Sequence, residues 1–129
     1  MELCPQLVVV PYNFEAYERV AMQVYEIFVQ TGARIQAISC DEALLELSRI
    51  APDWDTAQRI IAQVRQQIFN TTSCSASAGL GSSILLARLA LLKAKPDGLA
   101  IAPLNSSNIV PWMQQFKPSS LPGVGHRTW

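Results

Sequence analysis

Two acidic residues stand side by side in the stretch "QAISCDEALLEL", residues 36–47, with apolar residues before and after them. Hard divalent cations such as Mg²⁺ take oxygen ligands and keep waters or substrate phosphates in the rest of their shell. Asp41 and Glu42 supply that kind of ligand. Two such ions can activate an attacking hydroxyl and stabilise a leaving pyrophosphate. Successive residues of a strand point to opposite faces. A turn relaxes that alternation, so at a hairpin tip both carboxylates could reach one cation. Taken alone, an Asp-Glu pair in a turn is more often a solvated tip. Two carboxylates are also few for two metals, and no third acid of the chain has an obvious claim.

Two further stretches suit phosphate. In "LLKAKPDG", residues 91–98, Lys93 and Lys95 stand at the end of an apolar helical stretch, just before a proline and a tight turn. An ammonium is a compact point charge that matches phosphate oxygens, although lysines there also favour the helix macrodipole. In "LPGVG", residues 121–125, Gly123 and Gly125 flank Val124, a pattern that allows a tight turn with open backbone amides. Such amides bind phosphate without side chains, and the same letters also make an ordinary turn. "GLG" at 79–81 lacks the third glycine of a dinucleotide fingerprint and reads as a strand-to-helix turn.

Other chemistry finds less support. Cys4, Cys40 and Cys74 show no CxxC spacing, and their odd number gives neither a disulfide framework nor a zinc site. They read as core residues of a protein from a reducing compartment. His126 is the single histidine and has no evident partner for nucleophilic catalysis.

The elements that must carry these residues follow from hydrophobic periodicity. Residues 7–11, "LVVVP", read as a short buried strand. Asn13 caps a helix whose apolar face is Phe14, Tyr17, Ala21, Val24 and Phe28, and Gly32 ends it. "RIQAIS" and "ALLELS" follow as a hairpin with the acidic pair at its tip. Pro52 with Asp53 or Asp55 opens a second helix, buried through Ala57, Ile60, Ile61, Val64 and Ile68. "CSASAGLG" is strand-like. Ser82 or Ser83 caps "ILLARLALLKA", a helix apolar nearly all round and therefore expected to be well buried. "LAIAP" is a last strand, and "NIVPWMQQF" is a short helix interrupted at Pro111. Strand, helix, strand, strand, helix, strand is the order of a split βαβ unit. The fold class expected is therefore α+β, a ferredoxin-like antiparallel sheet with helices on one face.

The totals agree with one compact unit. The chain has 129 residues, half of them hydrophobic, which is enough for a core. Ten basic and ten acidic residues cancel. That balance counts against a module held to nucleic acid by charge alone. No apolar run is long enough to span a membrane, and the first residues lack the basic start of a signal peptide.

In this order and spacing, "SCDEA", "AKPDG" and "LPGVG" resemble motifs of the Y-family translesion DNA polymerases. "CPQLVVVPYNFEAY", "SCDEAL" and "GLGSSILLARLALLKAKPDG" are most similar to the deoxycytidyl-transferase branch of eukaryotes, and the similarity runs from about Cys4 to His126. The resemblance implies an incomplete palm over residues 1–104, a linker over 105–120 and the start of a truncated helix-hairpin-helix thumb over 121–129. It implies two-metal phosphoryl transfer with Mg²⁺, in which Asp41 bridges the metals and Glu42 lies toward the primer 3′-hydroxyl. Lys95 would face the triphosphate, and Gly123, Val124 and Gly125 would meet a DNA phosphate through backbone amides. The partners implied are a damaged DNA primer-template, dCTP and other translesion polymerase subunits, in the nucleus. The product implied is a C inserted opposite G or an abasic site.

The sequence departs from the family pattern in what it lacks. A first acidic motif would lie upstream, on a strand that packs into this same sheet, along with the fingers. Ser83 stands where this branch often has Asn, and Leu91 and Leu92 replace more polar residues. The chain is expected to be a fragment, inactive alone. Two alternatives accompany this reading: a nucleotidyl cyclase-like palm, which would normally have glycines at positions 39 and 40, and a non-catalytic ferredoxin-like binding domain.

Overall fold

The computed structural model describes residues 3–125. The elements are α1 (Phe14–Gln30), β1 (Arg34–Ala37), β2 (Ala43–Glu46), α2 (Trp54–Thr72), β3 (Ala78–Leu80), α3 (Ile84–Ala94), β4 (Leu99–Ile101), α4 (Ser106–Met113) and a 3₁₀ turn, Pro118–Ser120. The helix starts follow the capping residues. Asn13, Asp53 and Ser83 each accept a backbone N–H from the third residue on: Ala16 at 3.1 Å, Thr56 at 2.6 Å and Leu86 at 3.2 Å. At the end of α1, Gly32 takes a positive φ of 75°, a conformation that costs glycine little.

The bond to the Thr56 amide holds the Asp53 carboxyl below its ordinary pKa. A carboxylate whose folded pKa is depressed contributes stability above its unfolded pKa, and that stability is lost as pH falls through the folded value. Thermal unfolding followed by circular dichroism should therefore show a melting temperature that falls with acidification below the ordinary carboxylate range. Asp53→Asn, which keeps an acceptor oxygen without the titration, should flatten that part of the profile.

The second helix buries Ala57, Ile61, Val64 and Ile68. Val64 and Ile68 meet Ile27 of α1, with Val24, Phe28 and Ile60 packed around them. Ala57 and Ile61 meet Leu80 of β3. The face expected of α1 is therefore only half right. Val24 and Phe28 pack, but Phe14 is 72% and Tyr17 47% exposed. The buried residue of this helix is Ile27, because α2 covers the C-terminal half of α1 alone.

Strands β1 and β2 form the expected antiparallel hairpin, with Arg34 opposite Glu46 and Ala37 opposite Ala43. Strands β3 and β4 pair in parallel, Ala78 opposite Leu99 and Leu80 opposite Ile101, with α3 as the crossover between them. Gly79 and Gly81 act here as contact residues rather than as a simple turn. A Cβ on Gly79 would collide with the Ala87 carbonyl oxygen and the Leu91 amide of α3, so only glycine lets strand and helix come this close.

Two expectations about the sheet are corrected. The described residues form two two-stranded sheets, not one antiparallel sheet. Residues 7–11 are not a strand. They take part in no strand pairing, and Val8 is 79% exposed, since no strand among the described residues lies beside them. Between the two sheets lies a cavity of about 900 Å³, lined by β2, by β3 and by Ala57, Ile61 and Val64 of α2.

Three local expectations are also revised. The third helix buries Leu86, Leu89, Ala90 and Ala94, but Ile84, Leu85 and Leu92 on its other side are exposed. Cys4, Cys40 and Cys74 are free and exposed rather than in the core. The fourth helix continues through Pro111. It ends at Met113, so the missing proline N–H removes a single bond near its end. The stretch 105–120 holds α4 and the 3₁₀ turn. Ile109, Trp112 and Met113 pack on Leu86, Ala90 and Ala102. His126 and the rest of the expected thumb start, residues 126–129, lie outside the described residues.

Candidate catalytic site

The acidic pair sits at the tip of the β1–β2 hairpin, as its flanking apolar strands dictate. The tip closes through the Glu42 carbonyl, which accepts the N–H groups of Ile38 and Ser39, both at 3.0 Å. The Tyr25 hydroxyl of α1 reaches the same place, 2.8 Å from the Ser39 carbonyl and 3.1 Å from that of Glu42. A phenol has one proton to donate, so it shares it between two carbonyls and ties the tip to the helix.

Each carboxylate has one engaged oxygen. The Ser39 hydroxyl donates to Asp41 Oδ1 at 2.6 Å. The Arg88 guanidinium of α3 donates to Glu42 Oε1 at 3.1 Å. Both acids are exposed, and their second oxygens point to no partner among the described residues. Accessible carboxylate oxygens side by side are the donor set a hard divalent cation takes. The fit is partial, since no group of three or more metal-ligating side chains occurs among the described residues. Beside the tip, Tyr12, Phe14, Tyr17, Met22, Tyr25 and Cys40 line an open apolar hollow of about 760 Å³.

The two lysines separate in role. Lys93 Nζ donates to Gln115 Oε1 at 2.7 Å and lies 5.3 Å and 5.2 Å from the ring centres of Trp112 and Phe116. It ties α3 to the segment that follows it, a cation–π arrangement. Lys95 caps α3 at its C-terminus, is exposed, and its ammonium has no partner among the described residues. The turn after it is fixed from α2. Arg65 pairs with Asp97 at 3.0 Å and donates through Nε to the Ala76 carbonyl at 2.6 Å. Arg88 and Lys95 are seven residues apart, Arg88 within α3 at the acidic tip and Lys95 one residue past the helix end.

At "LPGVG" the chain turns with Gly123 at φ +83°. The Val124 N–H is engaged within the turn, donating to the Leu121 carbonyl at 3.1 Å.

Sequence reasoning missed Tyr25 and Arg88. Tyr25 gave no signal, because a tyrosine on a helix reads as packing. Arg88 did: it is the one charge inside "ILLARLALL". A charge placed in an apolar run asks for a partner, and the fold supplies Glu42 from 46 residues earlier.

The sequence model of the impB/mucB/samB family matches residues 1–91. The DNA repair protein REV1 of Arabidopsis thaliana is 46% identical over 125 residues, covering 96% of this chain and 11% of that protein. The DNA repair protein Rev1 of Drosophila melanogaster is 39% identical over 127 residues, covering 97% of this chain and 13% of that one. The chain therefore spans a small part of the relatives it matches. Among solved structures, an insertion ternary complex of Dbh DNA polymerase shares the fold. Its TM-score is 0.85 at 20% identity, over 98% of this chain and 37% of that one.

Proposed function

The chain belongs to the impB/mucB/samB family of Y-family DNA polymerases, and we propose that it is part of the catalytic palm of a translesion polymerase that inserts dCMP opposite G or abasic sites. The observation that carries the reading is the hairpin tip. It presents Asp41 and Glu42 side by side, exposed, each with an oxygen left over. A bound pair of Mg²⁺ ions would supply activation of the attacking hydroxyl and neutralisation of the leaving pyrophosphate. Asp41 and Glu42 are the residues that would hold them, with a further acid from outside these residues. Tyr25 keeps the tip in place. Lys95, exposed at the end of α3, is suited to the triphosphate of dCTP. Gly123 and Gly125 leave room for a DNA phosphate to approach the backbone, with Val124 closing the turn between them.

The cavity between the two sheets fits the same reading. It lies between the edges of β2 and β3, where one more strand would join them into a ferredoxin-like palm. In this proposal residues 1–104 are partial palm, 105–120 connect, and 121–129 begin a thumb. The primer-template would be damaged DNA, the compartment the nucleus, and other translesion subunits would bind elsewhere on the whole protein. No helix among the described residues is long and apolar enough to cross a membrane. The cyclase alternative is set aside by family membership.

The test is a graft. The isolated chain is expected to add no dCMP to a primer opposite an abasic site with Mg²⁺ present. The same chain replacing its counterpart in the Drosophila melanogaster relative should support that addition. Extension by the isolated chain would overturn the assignment as an incomplete palm. A folded graft with no transferase activity, where the parent is active, would overturn the catalytic reading.

A further inference from the structure

Arg88 is held in a costly position. Its helix is apolar, and its Nε is buried without a hydrogen-bond partner among the described residues. A buried donor left without an acceptor is destabilising. Its side chain is one-third exposed, and its one ion pair among the described residues reaches out of the helix to Glu42. The pair therefore links α3 to the hairpin tip.

A guanidinium and a divalent cation at Glu42 compete for the same carboxylate and repel each other across a few ångströms. We propose that Arg88 is a positioning residue that holds the Glu42 carboxylate when no divalent cation is bound and yields it when one binds. This rests on the reading that Asp41 and Glu42 are cation ligands. It adds that the affinity of the tip is set from α3. The guanidinium keeps the exposed acid pair from repelling itself apart, and any cation must displace it to use both Glu42 oxygens. Arg34 serves as an internal comparison. It pairs with Glu46 at 3.6 Å, at the far end of the hairpin from the tip.

The experiment is Mn²⁺ titration of the ¹⁵N-labelled 129-residue chain, read by paramagnetic broadening of the amide signals of residues 39–42. Broadening at the tip is expected in the unaltered chain. In Arg88→Gln the Mn²⁺ concentration for half-broadening should fall about 2- to 5-fold, the range for a partly exposed ion pair. Arg88→Lys, which keeps the charge, should stay nearer the unaltered chain. Arg34→Gln, the same change in net charge away from the tip, should leave the titration where it was. An Arg88→Gln titration that is unchanged or shifted to higher concentration would overturn the proposal. So would equal effects of Arg88→Gln and Arg88→Lys, or an equal effect of Arg34→Gln. If neither the unaltered chain nor Arg88→Gln broadens at the tip, the cation-ligand reading itself fails and the proposal with it. Should Arg88→Gln not fold, Arg88→Met, which removes the charge and suits the apolar helix, takes its place in every comparison with Arg88→Lys and Arg34→Gln, with the same outcomes.

Discussion

Asp41→Ala and Glu42→Ala, each placed in the grafted polymerase, are expected to lower the rate of dCMP addition by about 10²-fold or more. A cation that neutralises developing charge in phosphoryl transfer contributes several kcal/mol at the transition state. Several kcal/mol correspond to about 10²- to 10³-fold in rate. Both residues are exposed, so their removal leaves no cavity. Asp41→Ala frees the Ser39 hydroxyl to water, and Glu42→Ala frees Arg88. The melting temperature should therefore move little while kcat collapses. Single-turnover primer extension opposite an abasic site, beside circular dichroism melting, measures both. Transfer at the unaltered rate in both variants would favour the non-catalytic binding reading.

Leu89→Ala is expected to have the largest effect on stability. Leu89 is wholly buried, and it is the largest side chain so enclosed among the described residues. Removing a buried leucine to alanine costs about 2.7–5 kcal/mol, from lost transfer energy and from the cavity left behind. A small domain has roughly 5–15 kcal/mol in total, so this one change removes a large share. Urea unfolding of the isolated chain should show the midpoint fall steeply. Leu89→Met, close in volume, should cost less than about 1.5 kcal/mol. A loss as large in the methionine variant would mean that shape, not burial, dominates at this position.

Much of this was legible in the residues. Capping side chains marked the helix starts, and Asn13, Asp53 and Ser83 all cap as their types require. The stripe of α2 held because a 3.6-residue period survives whatever packs against it. The hairpin and its acidic tip held because two short apolar runs a few residues apart have little else to do. What failed was everything that depends on a neighbour. "LVVVP" has the letters of a buried strand, but a strand exists only where another strand receives it. Phe14, Tyr17, Ile84 and Leu92 sit on apolar helix faces that no described element covers. The parallel pairing of β3 with β4 comes from the crossover by α3, which periodicity does not reveal. At the site, the acids were visible by type, while their holders Tyr25 and Arg88 come from distant helices and become visible only in three dimensions.

The gap between the two sheets has a practical side. Strands β2 and β3 line it and belong to two-stranded sheets with open edges, and residues 7–10, shortly before α1, are apolar and exposed. Open strand edges template pairing with other chains, and short apolar β-prone segments are the usual recruits. For the isolated polypeptide, a net charge of zero supplies little repulsion to oppose such association. A cell that made this chain by itself would present its quality-control machinery with open strand edges, a feature that chaperones and proteases act on before any chemistry at the tip begins.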